Sequence, residues 1–293
     1  MLRHAIVLAF VAALPAGVLS AELEFRKRVA VEPGGTLEIE LVAGSIEVET
    51  NGDPEVSVEA QVEGWAARSI HFELSSDGVD ARLVGESRGW FGPFLVAPQV
   101  RVKVRVPEKY SIHAETGGGS IEIDHLGGTV VARTRGGWIE IDGANGPVEL
   151  TTSGGRISAE DIEGDLSVRT SGGEIKISDV TGRVEAHTSG GPIQVHDIGG
   201  PVLARTSGGW ISVRFSGAPE GDLETSGGSI EAEFNEDARL TLEAQTAGGR
   251  VEVERELSLA GSIAHDRVVG RVNGGGPTLR LKTSGGNVRI RLH

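Results

Sequence analysis

One tetrapeptide recurs along the chain at a nearly constant spacing. Its pattern is Thr-x-Gly-Gly, and the first six copies recur at a constant period of about 18 residues. The copies begin at Thr116, Thr134, Thr152, Thr170, Thr188, Thr206, Thr225, Thr246 and Thr283. A period of this length is typical of repeat proteins, in which identical units stack because none buries enough apolar surface alone. The spacing therefore predicts an elongated stack of short coils.

Apolar and polar residues alternate within each period, as they do in β-strands. Ile139 and Ile141 share one face before a bend, and Val148 and Leu150 share a face after it. The period accommodates two or three strands, and no stretch after the N-terminal segment shows the helical period. The Gly-Gly pairs account for much of the 44 glycines, and we place them at corners where backbones stack closely. The threonine before each pair is an even number of residues from the inward apolar residues of its strand, so its side chain is expected to point inward.

The chain is therefore predicted to be all-β, a parallel β-solenoid with coils of about 18 residues. Residues 111–293 form the regular repeats. Residues 21–110 contain alternating runs without the register, and we interpret them as an irregular β N-terminal cap or wide coils that seal the first rung. The last strand, Val288–Leu292, alternates apolar residues with arginine. We expect it to form the outer end of the stack, where its charges discourage end-to-end association.

Residues 1–20 have the order of a secretory signal peptide, with Arg3, an apolar run and small residues at Ser20 and Ala21. Cleavage after Ser20 or Ala21 is expected. The uncharged stretch from Ala5 to Ala21 is short for a spanning helix of about 20 residues, although an uncleaved anchor is the alternative. No later segment is apolar enough to span a membrane. We expect an exported protein that is periplasmic, extracellular or on the cell surface.

Composition excludes several classes of function. The net charge of −14 argues against a nucleic-acid partner, which requires a basic surface. The chain has no cysteine, so disulfides, thiolate metal sites and a cysteine nucleophile are excluded. The eight histidines show no metal-ligand spacing, and no phosphate loop or hydrolase motif is present. We therefore predict no catalytic residue, no metal and no cofactor.

The repeats resemble those of the bacterial putative-adhesin family of β-strand repeat proteins of unknown function. The resemblance lies in Thr-Ser-Gly-Gly-x-Ile-x-Val preceded by Gly-x-Val, in Gly-Ser-Ile-Glu-Val at 44–48 and in the final Thr-Ser-Gly-Gly-Asn-Val at 283–288. It covers roughly residues 25–292 and implies a β-helix, right-handed in that family. It transfers no catalytic motif, and a shared fold does not fix a shared function.

Residues that recur at the same position in successive coils form columns on the surface of the stack, and three outward columns could carry chemistry. Asp161, Asp179 and Asp197 repeat at one bend, where they could bind a cation or simply suit a turn. A basic column could bind an acidic polymer or pair with nearby carboxylates such as Glu149 and Glu185. The basic column contains Arg133, Arg169, His187 and Arg205. In a third column, Asp124 and Asp142 could act as the carboxylate pair of a glycosidase.

Exposed aromatic residues are the stronger indication of a binding site. Trp138 and Trp210 occupy the same position after Gly-Gly, four coils apart, and point outward by parity. Their rings could stack on a sugar or a protein, or could cover the neighbouring corner glycines. Trp90, Phe91 and Phe94 form a second cluster that could contact a partner or plug the solenoid end.

These patterns together favour a non-catalytic exported β-solenoid that acts as a binding, scaffold or adhesin-like surface protein. Its partner would be an unidentified protein or glycan of the cell envelope. The alternative is a carbohydrate-active enzyme on the same scaffold.

Overall fold

Each regular coil of the structure contributes one strand to each of two sheets that face each other across an apolar core. The computed structural model describes residues 22–64, 69–87, 99–254 and 257–293, and within them 27 strands form a 13-stranded and a 14-stranded sheet. No helix in these ranges is long and apolar enough to cross a membrane. The predicted all-β, parallel β-solenoid is confirmed, with two strands in each regular coil.

The strands follow one another along the chain in two sheets. The N-terminal strands are β1 (Glu22–Ala30), β2 (Thr36–Leu41), β3 (Ser45–Asn51), β4 (Glu55–Glu63), β5 (Ile70–Ser76), β6 (Ala81–Ser87) and β7 (Gln99–Pro107). The next are β8 (Ser111–Thr116), β9 (Ile121–Leu126), β10 (Val130–Thr134), β11 (Ile139–Ala144), β12 (Val148–Thr152), β13 (Ile157–Ile162) and β14 (Leu166–Arg169). They continue with β15 (Ile175–Val180), β16 (Val184–His187), β17 (Ile193–Ile198), β18 (Val202–Thr206), β19 (Ile211–Phe215), β20 (Gly221–Thr225) and β21 (Ile230–Phe234). The last are β22 (Leu240–Thr246), β23 (Val251–Val253), β24 (Leu259–Ile263), β25 (Arg267–Val272), β26 (Thr278–Thr283) and β27 (Val288–Leu292).

The repeat places chemically identical residues directly above one another. Ile121, Ile139 and Ile157 are partners in successive parallel strands, and all three are buried. In the regular coils this makes an aliphatic core, as the low aromatic content predicts. Phe215 and Phe234 are the exceptions, because they fill the core where the coils become longer than the regular period. Burying these columns supplies most of the driving force for stacking.

The corner threonines tie each coil to the one before it. The hydroxyl of the buried Thr188 donates to the carbonyl oxygen of Gly173, 3.0 Å away in the preceding coil. It also accepts from the backbone N–H of Gly191 in its own coil, at 3.4 Å. The same donation occurs at all nine Thr-x-Gly-Gly corners. The inward threonines therefore satisfy the buried corner carbonyls, as parity predicts.

The N-terminal region contains one coil that is already in register with the repeats. Strands β2 and β3 pair in parallel with β8 and β9, and the hydroxyl of Thr116 donates to the carbonyl of Gly44 at 2.9 Å. Beyond this coil, β1, β4 and β5 run antiparallel to their neighbours. The buried Tyr110 hydroxyl donates to the carbonyl of Val79, and burial raises its pKa to about 12. The division at residues 110 and 111 stays a prediction.

At the C-terminal end, the order of coils in space differs from their order in the chain. The last two strands, β26 and β27, lie between the coil of β20 and β21 and the coil of β22 and β23. The prediction that Val288–Leu292 forms the outer end is therefore wrong, since β23 and β24 are the edge strands there. Arg289 and Arg291 pair instead with Glu252 and Glu231 on the two neighbouring strands.

Two adjacent corner glycines provide a test of how closely the coils stack. A Cβ on Gly137 would lie 1.8 Å from the carbonyl oxygen of Gly119, whereas a Cβ on Gly136 would meet nothing within 4 Å. We expect Gly137→Ala to lower the free energy of unfolding by about 1–3 kcal/mol or more, because the coils must move apart. Gly136→Ala should change it by less than about 1 kcal/mol. Urea unfolding of both variants measures the difference, and equal losses would contradict this account of the corner.

Candidate functional site

The two predicted tryptophans lie on the outward side of the 13-stranded sheet. Trp138 directly precedes β11 and Trp210 directly precedes β19, four strands further along the sheet. At about 4.8 Å per strand, this places them roughly 19 Å apart along the solenoid axis. Trp210 is 43% exposed and Trp138 is half-buried. We call the outward side of strands β11 to β19 with these two corners the aromatic face.

The other predicted aromatic cluster cannot be placed on this face. Trp90, Phe91 and Phe94 lie outside the described residues, so whether they form a contact site or a plug stays a prediction. The predicted binding residues that the structure does describe are therefore Trp138 and Trp210.

The Trp138 ring has a cation beside it from the next coil. The guanidinium carbon of Arg156, which occupies the same position one coil later, lies 5.6 Å from the centroid of the Trp138 ring. Arg156 also lies 3.9 Å from the carboxylate of Glu140. A cation over an aromatic ring stabilises an exposed site by about 0.5–1 kcal/mol and fixes the ring orientation. In the same corner position Trp210 has Pro192 before it and Ser229 after it.

Carboxylates lie close together on the outward side of β9, β11 and β13, at the Trp138 end of the 13-stranded sheet, and we call them the acidic patch. Strand pairing places Asp124 beside Asp142 and Glu122 beside Glu140. The patch consists of Glu122, Asp124, Glu140, Asp142 and Glu160. The column pattern predicted Asp124 and Asp142 as a pair but missed Glu122 and Glu140. The recurring Ile-Glu-Ile at 121–123 and 139–141 was the signal that could have revealed them.

Burial and mutual repulsion raise the pKa of two carboxylates in the acidic patch. Burial, followed by the charge of Asp142, raises the pKa of Asp124. Burial, followed by the charge of Asp124, raises the pKa of Glu122. The nearby Glu49 behaves in the opposite way, because a hydrogen bond from Lys103 at 2.5 Å lowers its pKa. Negative charge is therefore concentrated where β9 and β11 pair.

The Asp161, Asp179 and Asp197 column has a backbone explanation. Their φ angles are 54°, 55° and 57°, in the left-handed region where aspartate and glycine are tolerated best. His125 and Gly143 occupy the same position in adjacent coils, with φ of 52° and 80°. These residues line an open groove of about 570 Å³. In the described ranges, no three His, Asp or Glu side chains come together in a way that could hold a metal ion.

The basic column on the opposite, 14-stranded sheet is neutralised by its neighbours. Arg133 lies 2.6 Å from Glu149, and Arg169 lies 2.7 Å from Glu185. Arg205 lies 3.2 Å from Asp222. Exposed ion pairs of this kind add little stability, typically about 0–1 kcal/mol. They do cancel the charge of the column, which favours a solvated face over a site for an acidic polymer.

Comparison with known proteins agrees with the fold. The family model described as Toastrack DUF4097 matches residues 36–291. Among curated proteins, no sequence matches the chain. One solved structure, from Parabacteroides distasonis and described as a putative lipid binding protein, is 14% identical with a TM-score of 0.52, covering 92% of this chain and 96% of that one.

Two further structures are described as putative adhesins. One, also from Parabacteroides distasonis, is 13% identical with a TM-score of 0.38, covering 92% of this chain and 97% of that one. The other, from Bacteroides fragilis, is 12% identical with a TM-score of 0.37 and the same coverage. The resemblance inferred from the repeats is confirmed, and at these identities the likeness concerns the fold alone.

The acidic patch predicts a particular pH dependence of stability. The folded chain binds the proton of Asp124 more tightly than the unfolded chain does, because the pKa of Asp124 is raised on folding. The contribution of Asp124 to stability is therefore greatest in acid and falls as pH rises through its raised pKa. We expect Asp124→Asn to raise the urea midpoint at neutral pH and to lose this gain in acid. The control is Glu185→Gln, which breaks an ion pair and should give no gain. A lower midpoint for Asp124→Asn at neutral pH would contradict the prediction.

Proposed function

The chain belongs to the Toastrack family, and from that premise we propose that it is a non-catalytic exported protein that binds a partner through the aromatic face. The partner is a glycan or a protein of the cell envelope. The observation that carries this proposal is the alignment of the exposed Trp210 with Trp138 along one corner of the stack. The order of residues 1–20, which is typical of a secretory signal peptide, supports the proposed envelope location.

The aromatic face suits an extended ligand. The acidic patch occupies the Trp138 end of this face, and toward Trp210 the hydrogen-bonded sheet presents mainly small or polar side chains. They include Ser158, Lys176, Ser178, Gln194, His196 and Ser212. Hydroxyl, amide and imidazole groups can exchange hydrogen bonds with a polar chain, while the rings stack on its apolar surfaces. A ligand lying along the axis would contact both tryptophans at once, roughly 19 Å apart.

A rigid surface of this kind favours binding at low entropic cost. The strands of the face pair in parallel on both sides, and each corner is fixed to its neighbour by a threonine hydrogen bond. The contact residues therefore need little ordering on association, which is a large part of the cost of binding for flexible segments. Rigid aromatic anchors also carry much of the energy in known interfaces.

The aromatic face can be tested by substitution of its exposed ring. We expect Trp210→Ala to weaken cosedimentation with isolated envelope polysaccharide at least about tenfold, which corresponds to about 1.4 kcal/mol. Trp138→Ala should weaken it less, because that ring is half-buried and already stacked with Arg156. If neither variant binds more weakly to polysaccharide or to purified envelope proteins, the aromatic face is not the contact surface.

A matched control lies in the same coil on the opposite sheet. Leu203 in β18 is a partly exposed apolar residue of the 14-stranded sheet, so Leu203→Ala removes apolar surface of a similar kind without touching the aromatic face. Its binding should equal that of the wild type. Thermal unfolding of all variants separates loss of contact from loss of fold.

A carbohydrate-active enzyme is the second candidate, and one observation favours it. Asp124 and Asp142 are paired across neighbouring strands, and burial together with the charge of Asp142 raises the pKa of Asp124, which is the direction that a general acid requires. Glycosidases use such a pair as acid and base or nucleophile. Release of reducing ends from the bound polysaccharide, abolished by Asp142→Asn, would replace the binding proposal with this one. Binding without cleavage would support the non-catalytic protein.

A further inference from the structure

The four edge strands of the two sheets differ in how they are protected. Edge strands expose unpaired backbone groups, and charged side chains normally discourage other strands from adding to them. Strand β1 contains Arg26, Lys27 and Arg28, and Lys27 turns inward to donate to the carbonyl of Leu74 at 2.6 Å. Strand β5 contains Glu73, and β23 contains Glu252. Strand β24 contains Leu-Ala-Gly-Ser-Ile and no charge.

The uncharged edge also exposes apolar surface. Residues 257–264 contain no charged side chain. Ile263 is 65% exposed, more than any other large hydrophobic residue in the described ranges. Among the strands that the structure describes, only β25 pairs with β24. The C-terminal edge of the 14-stranded sheet is therefore open to strand addition.

The hydrogen bonds around β24 show which of its backbone groups point to this open edge. The N–H of Ala264 donates to the carbonyl of Arg267 at 2.8 Å, and the N–H of Asn273 donates to the carbonyl of Ser258 at 3.2 Å. Hydrogen-bonded residues alternate along an antiparallel pair, so Ala260 and Ser262 also bond to β25. The residues between them direct their N–H and C=O groups away from β25, toward the open edge. These residues are Leu259, Gly261 and Ile263.

We propose that β24 is a dimerisation edge, at which β24 of a second copy adds antiparallel about a two-fold axis through Gly261. The strand is self-complementary about this residue. Leu259 then bonds to Ile263 of the partner subunit, and Gly261 bonds to the partner subunit's Gly261, which gives about six hydrogen bonds. The side chains of Leu259 and Ile263 lie on the same side of the strand, so Leu259 packs beside Ile263 of the partner subunit and covers the exposed isoleucine. Such a contact is isologous and closes after two copies.

Gly261 makes a close approach possible on both sides of β24. A Cβ at this position would lie 2.2 Å from the carbonyl of Val269 in β25, so glycine is required for the existing hairpin. Its missing side chain also leaves the centre of the open edge flat. A five-residue edge buries far less than the roughly 1,200–2,000 Å² of a standard interface, so the dimer is weak and depends on concentration.

The proposal can be tested by sedimentation velocity from micromolar to millimolar concentration. The wild-type chain should show a monomer–dimer equilibrium, and Ile263→Lys and Ile263→Pro should abolish it. The proline removes an N–H that points to the open edge, so the bonds to β25 and the melting temperature should be kept. Val42→Lys is the matched control, because Val42 is 59% exposed far from β24. A wild-type monomer throughout, or a dimer that survives Ile263→Lys, overturns the proposal.

Disulfide trapping tests the register itself, since the chain has no cysteine. A two-fold axis through Gly261 places Ala260 opposite Ser262 of the partner subunit in a non-hydrogen-bonded pair, with Cα atoms about 4.5 Å apart. This separation lies within the range that disulfides bridge. A mixture of the Ala260→Cys and Ser262→Cys variants should oxidise to a covalent dimer, whereas each variant alone should not. Equal crosslinking of each variant alone would exclude this register.

Discussion

The close stacking of one corner on the next is the contact on which the rest of the structure depends. The second glycine of each pair sits where no side chain fits, and wherever another coil follows in space its carbonyl accepts the hydroxyl of that coil's threonine. An unmet buried carbonyl costs about 1–3 kcal/mol, so nine such bonds hold the coils in one register. The apolar columns and the outward columns are both consequences of that register.

The same bond also explains how the last coil can be placed out of chain order. Thr283 donates to Gly228, and Thr246 donates to Gly286, so the ladder follows the order in space. A corner threonine can therefore bond to any neighbouring coil that presents a glycine carbonyl at this position. The period of the sequence therefore predicted which residues share a column, but it could not predict the order in which the coils stack in space. The corners of Thr246 and Thr283 are chemically alike, and the choice between them depends on the β24–β25 hairpin that separates them in the chain.

The candidate site was predictable to the extent that it depends on strand parity. Parity alone placed Trp138, Trp210, Asp124 and Asp142 on the outward side. It could not show that Arg156 lies over the Trp138 ring, because that depends on side-chain direction at a corner. Parity also could not show that the outward sides of the 13-stranded and 14-stranded sheets differ in how their charges are paired. The arginines of the 14-stranded sheet find carboxylates beside them, whereas Asp124 and Glu122 repel their neighbours and titrate at higher pH.

The dimerisation edge and the aromatic face are linked by the direction of the two-fold axis. An antiparallel pair of strands is related by an axis perpendicular to its sheet, so both copies keep the same side of the joined sheet facing the same way. The 13-stranded sheets of the two copies, with their aromatic faces, then point toward one side. Two weak contacts that engage the same polymer or surface act together through their effective concentration, and avidity can exceed either affinity by about 10²–10⁴. A weak edge contact is sufficient for this purpose, because the ligand itself would hold the two copies together.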